Sequence, residues 1–356
     1  MRTKIRALTI GHVIAGTVII TILAGCGSAA LVGSLLGTGK LVKDIGDFID
    51  DAFDDDDDSP KPNDFQVLLD GYNVGTRPST SGELSLDVLP LGWHLLSVVT
   101  DNRKKGFNYA MEIKEDQNDL PLGQLTPIDS AAIRGTLQRE TTTGGTAPMA
   151  DCPVYAVRNG AQMLQESGDA PISMPLVNTP VDTVQRVIGF TDDAGEFILG
   201  PCEAGEWLVF AAIPGYYADA RVATVQQPND ATDQDLLLQQ KADTQVATIN
   251  GTVTSNNRGV ADALVYSDLS TAFEIGVTAD TADEVAADAG LDLTDGAWFS
   301  FTRLATKTAG NAHYSLATIP GSQKMTAYEE DDGVDTQTVS AAAGQVLNRD
   351  FNLQDR

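Results

Sequence analysis

The chain has 356 residues, enough for two or three ordinary domains. Its 50 acidic and 23 basic side chains give a formal charge of -27. Such a surface repels nucleic-acid phosphates and lacks the basic clusters that hold a protein on anionic lipid. What it does favour is solubility in a crowded compartment.

The N-terminus is basic (Arg2, Lys4, Arg6), and an apolar run follows over residues 7–22. Small residues then precede a cysteine in Leu23-Ala24-Gly25-Cys26. A basic start, an apolar middle and small residues before a cleavage point describe an export signal. The tetrad resembles the lipobox of bacterial lipoproteins. The resemblance implies that residues 1–25 are removed and that Cys26 carries lipid, which tethers an exported body to the cell envelope. Gly27 stands where an aspartate would resemble an inner-membrane retention signal, so the outer membrane is implied in a cell that has one. An uncleaved membrane helix and a soluble secreted product are the alternatives, and both also export the chain.

With Cys26 lipidated, Cys152 and Cys202 remain as an even pair in an oxidising compartment. A disulfide is expected. Closing a loop of about 50 residues would stabilise the fold by roughly 4 kcal/mol on the chain-entropy model. Two reduced, buried thiols are the alternative. A metal site is not expected, because no histidine lies near either cysteine.

Residues 26–63 read as a tether. Leu31, Leu35, Leu36, Leu41, Val42, Ile45, Phe48, Ile49 and Phe53 recur at spacings of three and four, which permits an amphipathic helix at the membrane. Glycines in its first half oppose that helix. Asp50, Asp51 and the aspartates at 54–58 follow, then Pro60 and Pro62. Like charges in a run repel, so this stretch is expected to be an extended linker. The spacing, glycine and terminal glutamate of an EF-hand calcium loop are missing.

From Phe65 onward, short β-branched and aromatic runs alternate with Gly, Pro, Asn and Asp clusters, the signature of an all-β chain. The first module is expected over residues 64–128. Residues 65–69 form a strand, Asp70-Gly71 a turn, and residues 83–88 an alternating strand with residues 93–99 as its hairpin partner. His94 is expected to face water. The order Leu69-Asp70-Gly71, Gly75-Thr76-Arg77-Pro78, Pro90-Leu91-Gly92-Trp93-His94 resembles the small PEGA-type surface β domain.

Residues 129–241 and 245–356 look like two copies of one unit. Each opens on an isoleucine-x-glycine-threonine strand, Ile133-Arg134-Gly135-Thr136 and Ile249-Asn250-Gly251-Thr252. A small-residue turn into a strand follows, at Cys152-Pro153-Val154-Tyr155 and Ala263-Leu264-Val265-Tyr266. Thr191-Asp192-Asp193-Ala194-Gly195-Glu196-Phe197 is a turn that sends an aromatic into the core; Asp and Gly supply its geometry. Its counterpart is read as Thr306-Lys307-Thr308-Ala309-Gly310, with two extra residues before Tyr314. Each copy closes on a leucine-containing strand, at Asp235-Leu236 and Asp350-Phe351. The order resembles the carboxypeptidase regulatory-like domain, which implies a transthyretin-like sandwich. The expected fold is therefore all-β, with tandem small antiparallel β-sandwiches (Ig-like or transthyretin-like) after the signal and acidic linker. That family also puts Cys152 and Cys202 near one end of a sandwich.

Two segments exceed this pattern. Residues 158–187 read as an exposed excursion. In the insertion 267–303, Thr281-Ala282-Asp283-Glu284 fits a capping box, and Gly290 ends a short helix. Trp298-Phe299-Ser300-Phe301 then alternates like a strand. Trp298 and Phe299 are either ligand-facing aromatics on a long loop or the core of an added hairpin.

No catalytic constellation is present. The histidines are His12, in the signal, and His94 and His313, in different modules, and no Gly-x-Ser-x-Gly elbow or phosphate loop occurs. No cofactor, metal or catalytic residue is expected. The expected function is a lipid-anchored, non-catalytic envelope protein whose modules act as spacer and binding or adhesion scaffold. Its partners would be the membrane, through the lipid, and an envelope protein or a glycan. A carbohydrate-binding surface lipoprotein is the alternative.

Overall fold

A computed structural model describes residues 60–80, 84, 86, 89–114, 127–167, 172–174, 185–227, 229–241, 246–291 and 297–354. The export signal, Cys26 and the aspartate run lie outside them.

The first module is one antiparallel sheet. It comprises β1 (Phe65–Leu69), β2 (Tyr72–Asn73), β3 (Gly92–Thr100), β4 (Lys105–Ile113) and β5 (Ile128–Asp129), in the order β2-β1-β3-β4-β5. Asp70 and Gly71 link β1 to β2 with φ of 52° and 82°, the mirror-image turn that suits the twist of a hairpin. β3 is central and pairs with β1 and β4, not as the hairpin partner of 83–88. Within that segment Leu84 and Leu86 are described, and both are buried.

The second module begins with β6 (Ala131–Glu140), β7 (Thr146–Pro148), β8 (Pro153–Arg158), α1 (Gly160–Ser167) and β9 (Ile172–Met174). It continues with β10 (Arg186–Phe190), β11 (Glu196–Cys202), β12 (Gly205–Ala211), β13 (Asp219–Val225) and β14 (Leu236–Leu238). Sheet β10-β8-β12-β13 packs on sheet β11-β6-β14, with Trp207, Phe197, Leu199 and Val209 between them.

The third module comprises β15 (Ala247–Ser255), β16 (Arg258–Gly259), β17 (Leu264–Gly276), α2 (Ala279–Ala289), β18 (Ala297–Lys307) and β19 (His313–Thr318). Then come β20 (Gly321–Glu329), β21 (Gly333–Ala341), β22 (Val346–Asn348) and β23 (Phe351–Leu353). Its sheets are β16-β15-β19, with β22 and β23 also on β15, and β21-β20-β17-β18-β9. The strand path of the second module recurs, with β15, β17, β18, β19, β20 and β21 in the places of β6, β8, β10, β11, β12 and β13.

The isoleucine-x-glycine-threonine motif has a packing reason. The closing segment crosses directly over the glycine. A Cβ on Gly135 would lie 2.1 Å from the Gln234 carbonyl, and one on Gly251 would lie 1.6 Å from the Arg349 carbonyl. The neighbouring threonine then ties that segment down. The Thr136 N–H and hydroxyl donate to Asp235 at 2.8 and 2.9 Å, and those of Thr252 donate to Asp350, each at 2.8 Å.

The aromatic-entry turn repeats in a different register from the one expected. Thr191 accepts from the Cys152 N–H and donates to the Met149 carbonyl. Thr308 does the same with Ala263 and Val260. Thr308, not Thr306, is therefore the counterpart of Thr191. Ala312 takes the place of Gly195, at φ 65° against 78°, and the turn has no extra residues.

The insertion is not a loose loop. β17 and β18 form one long hairpin carrying α2. Thr278, three residues before the expected start, caps α2 by accepting the Thr281 N–H, and Gly290 ends it at φ 67°. The excursion of the second module also returns, because β9 pairs parallel with β18 through Ile172 and Phe299.

These pairings join the modules. Tyr155, Leu208 and Phe210, on the outer face of the second module, share a core with Phe299, Phe301 and Ile275 of the third. Phe65, Leu69, Leu96 and Met111 of the first module share another with Leu264, Tyr266 and Tyr328.

Gly251→Ala is expected to cost about 1–3 kcal/mol by forcing the closing segment away. Gly310→Ala is its control, because nothing lies within 4 Å of the added methyl. Thermal melting checks this, with a clear drop for the first variant and a small change for the second.

Candidate functional site

Polar groups gather at two places where modules meet. The first is a buried cluster between the first and third modules. Asp70, on the β1–β2 turn, accepts the Leu95 N–H at 2.8 Å and contacts His94 Nδ1 at 2.7 Å and Arg303 at 3.2 Å. Arg303 projects from β18, donates to Asp268 at 2.7 Å and to the Trp93 carbonyl at 3.0 Å, and lies 4.2 Å above the Tyr266 ring. Burial pushes the Asp70 carboxyl up, but the charges of His94 and Arg303 hold it below its ordinary value. Burial disfavours the Arg303 charge, yet Tyr266, Asp70 and Asp268 keep the guanidinium firmly protonated.

His94 therefore does not face water. It is 1 % exposed, and its Nε2 is buried without a hydrogen-bond partner. A general base must reach the proton it takes. Among the described residues Nε2 has no such partner, and it is the Asp70–Arg303 contact that ties the first module to the third. Sequence reasoning missed Asp70 and Arg303. The only signal was the Asp-Gly turn, and it says nothing of a partner so distant in sequence.

The second place is a cleft of about 850 Å³ between the second and third modules. Met149, Ile213, Val246 and Leu316 give it apolar walls, and Arg139, Lys241, Tyr216 and Asp151 give it polar ones. Arg139 donates to the Tyr216 hydroxyl at 3.2 Å, and Lys241 lies 5.7 Å over the Tyr217 ring. Asp151 is engaged by Lys307 at 3.6 Å.

Cys152 also lines this cleft, half-buried, with its thiol 3.2 Å from the Ala150 carbonyl. Burial, with the charge of Asp151, pushes that thiol up to about 12, so it stays protonated and unreactive at neutral pH. The expected Cys152–Cys202 disulfide is not formed, and both thiols are free. Cys152 sits beside Thr191, where the chain turns into β11, and Cys202 ends that strand opposite Ala131. The seven residues of β11 span about 20 Å, whereas bridged cysteines need Cα atoms within about 7 Å.

Of the two aromatics singled out in the insertion, one is described. Phe299 is fully buried, with its ring stacked 3.8 Å from that of Phe210. Trp298 belongs to β18, and its side chain lies outside the described residues, as does Cys26. Among the described residues, no group of His, Cys, Asp and Glu is placed to hold a metal ion.

No family model matches the chain, and no curated protein matches it. Among solved structures it is similar to the Bacillus anthracis TIE protein, at 10% identity and a TM-score of 0.20, over 82% of this chain and 47% of that one. This chain thus spans about half the length of that protein. It is similar to a streptococcal ancillary pilin at 11% identity and a TM-score of 0.21, over 77% and 82% of the two chains. The dioxygenase domain of a dioxygenase carbohydrate-binding protein fusion from Streptomyces sp. SirexAA-E matches at 17% identity and a TM-score of 0.21, over 33% and 85%. Scores this low carry no weight for fold or function, which rest on the geometry above.

Arg303→Met leaves the Asp70 carboxylate buried without its cation, at an expected cost of about 3–5 kcal/mol. Denaturant unfolding measures it, and Arg303→Lys restores only part because a lysine cannot make the forked contact. Asp70 also sets a pH dependence. Its folded value lies below its unfolded one, so its contribution is full at neutral pH and is lost as pH falls below about 4. Asp70→Asn is expected to flatten the fall in stability between pH 5 and pH 2, read from urea midpoints.

Proposed function

We propose that the chain is a lipid-anchored, non-catalytic protein of the cell envelope, whose β modules act together as a stand-off and a binding scaffold. The observation that carries this reading is the joining of all three modules through shared buried cores. A body built this way holds its surfaces in fixed relation, which is what a spacer or adhesion scaffold requires. The buried ionisable groups support it, since Asp70, His94 and Arg303 face one another. Leu23-Ala24-Gly25-Cys26 supplies the anchor, and the aspartate run supplies the distance from the membrane.

The carbohydrate-binding alternative has less support. An exposed aromatic pair would favour it, but Phe299 lies beneath Phe210, and the side chain of Trp298 lies outside the described residues.

Labelling of cells with radioactive palmitate tests the anchor. The full-length protein is expected to take up label, and Cys26→Ser is expected to lose it. Equal label on both, or none on the wild type, removes the anchor from the account. A pull-down on insoluble polysaccharides addresses the alternative: the wild type is expected to stay in the supernatant, and saturable binding lost in Trp298→Ala would restore the glycan reading.

A further inference from the structure

The edge of β19 opens onto the cleft with unused backbone groups. In an antiparallel ladder, residues alternate between bonding their partner strand and pointing away from it. The Val253 N–H donates to the Ala312 carbonyl, which sets the phase of the β15–β19 ladder. Tyr314 and Leu316 therefore bond β15, while Ser315 and Ala317 turn their N–H and C=O groups outward. Ser315, Leu316 and Ala317 all line the cleft, and among the described residues β19 pairs with β15 alone.

In the second module the equivalent strand, β11, is met near its end by the first module. There β4 of the first module lies beside β11, with Asn108 donating to the Pro201 carbonyl at 3.2 Å. A Cβ on Gly106 would sit 2.9 Å from the Pro201 ring. The first module thus meets this strand in one copy of the sandwich, and among the described residues the strand of the other copy, β19, pairs with β15 alone.

The charge of the cleft runs against that of the chain. The whole sequence stands at -27, yet Arg139 and Lys241 line the cleft with no acidic partner among the described residues. Its acid, Asp151, is already paired with Lys307.

We propose that this cleft takes an extended acidic segment of a partner polypeptide, added as a strand to the edge of β19, with its carboxylates directed at Arg139 and Lys241. The proposal rests on the reading of the body as a binding scaffold and names the class of partner. Backbone hydrogen bonds to Ser315 and Ala317 give affinity, and the two cations select for acidic residues. The volume is of the size that ligand sites use, about 300–1,000 Å³.

The test uses the full chain in detergent and a random octapeptide library, panned against the wild type and Ala317→Pro. Proline removes an outward N–H that the ladder does not use, and edge strands tolerate it there. The library is expected to enrich proline-poor peptides rich in Asp and Glu. A synthetic enriched peptide is expected to bind Ala317→Pro at least tenfold more weakly, and Arg139→Gln several-fold more weakly. Methylating its alternate backbone nitrogens is expected to abolish binding. Hydrogen exchange on the wild type, which does not depend on any variant folding, is expected to slow at the Ser315 and Ala317 amides when the peptide is added. Equal enrichment on both proteins, unchanged exchange at those amides, or binding of oligogalacturonate in place of peptides would overturn the proposal. Loss of palmitate labelling leaves each of these outcomes untouched, because none depends on the anchor.

Discussion

One face of β18 holds the molecule together. Phe299, Phe301, Arg303 and Lys307 alternate along that strand and so project from the same side. Phe299 stacks on Phe210, and Phe301 lies 5.5 Å from Tyr155, both in the second module. Arg303 enters the first module to meet Asp70, and Lys307 returns to the second over the Phe190 ring. Phe299, read as a possible ligand-facing aromatic, does meet a partner, and that partner is the chain's own second module. Each fully buried aromatic contributes about 1.5–3 kcal/mol relative to exposure. The seam therefore amounts to a substantial part of the stability a chain can have.

This seam requires sheets that are apolar on both faces. β8 and β12 meet the requirement with nearly unbroken buried runs, Val154 to Val157 and Trp207 to Ala211. In each, alternate residues serve the sandwich interior and the contact with the third module. β17 divides its residues likewise, with Val265 toward its own sandwich and Leu264 and Tyr266 toward the first module. α2 adds a polar contact, since Thr281 donates to Asp219 of β13 and Glu284 pairs with Arg221. Asp219, Arg221, Asp70 and Arg303 are each paired, as burial in low dielectric demands.

Local features were readable in the sequence, and long-range ones were not. The Asp70-Gly71 turn, the Gly290 helix end and the entry of Phe197 into the core follow from residue type and spacing within a few positions. The register of the second aromatic turn was misread because Ala312 adopts positive φ where a glycine is the usual choice. The cysteine pair misled because an even count says nothing of distance along a strand. Asp70 and Arg303 stand 233 residues apart, so no local pattern could join them. One overlooked signal was present: the unbroken apolar runs of β8 and β12 mark strands buried on both faces.

The shared cores make the body one cooperative unit rather than three beads on a string, and the scaffold role proposed for it depends on that. Scanning calorimetry of the full chain tests the point most directly. A single transition is predicted, with calorimetric and van't Hoff enthalpies in agreement, splitting into separate transitions in Arg303→Met combined with Phe299→Ala. Separate transitions in the wild type, unmoved by those substitutions, would contradict it.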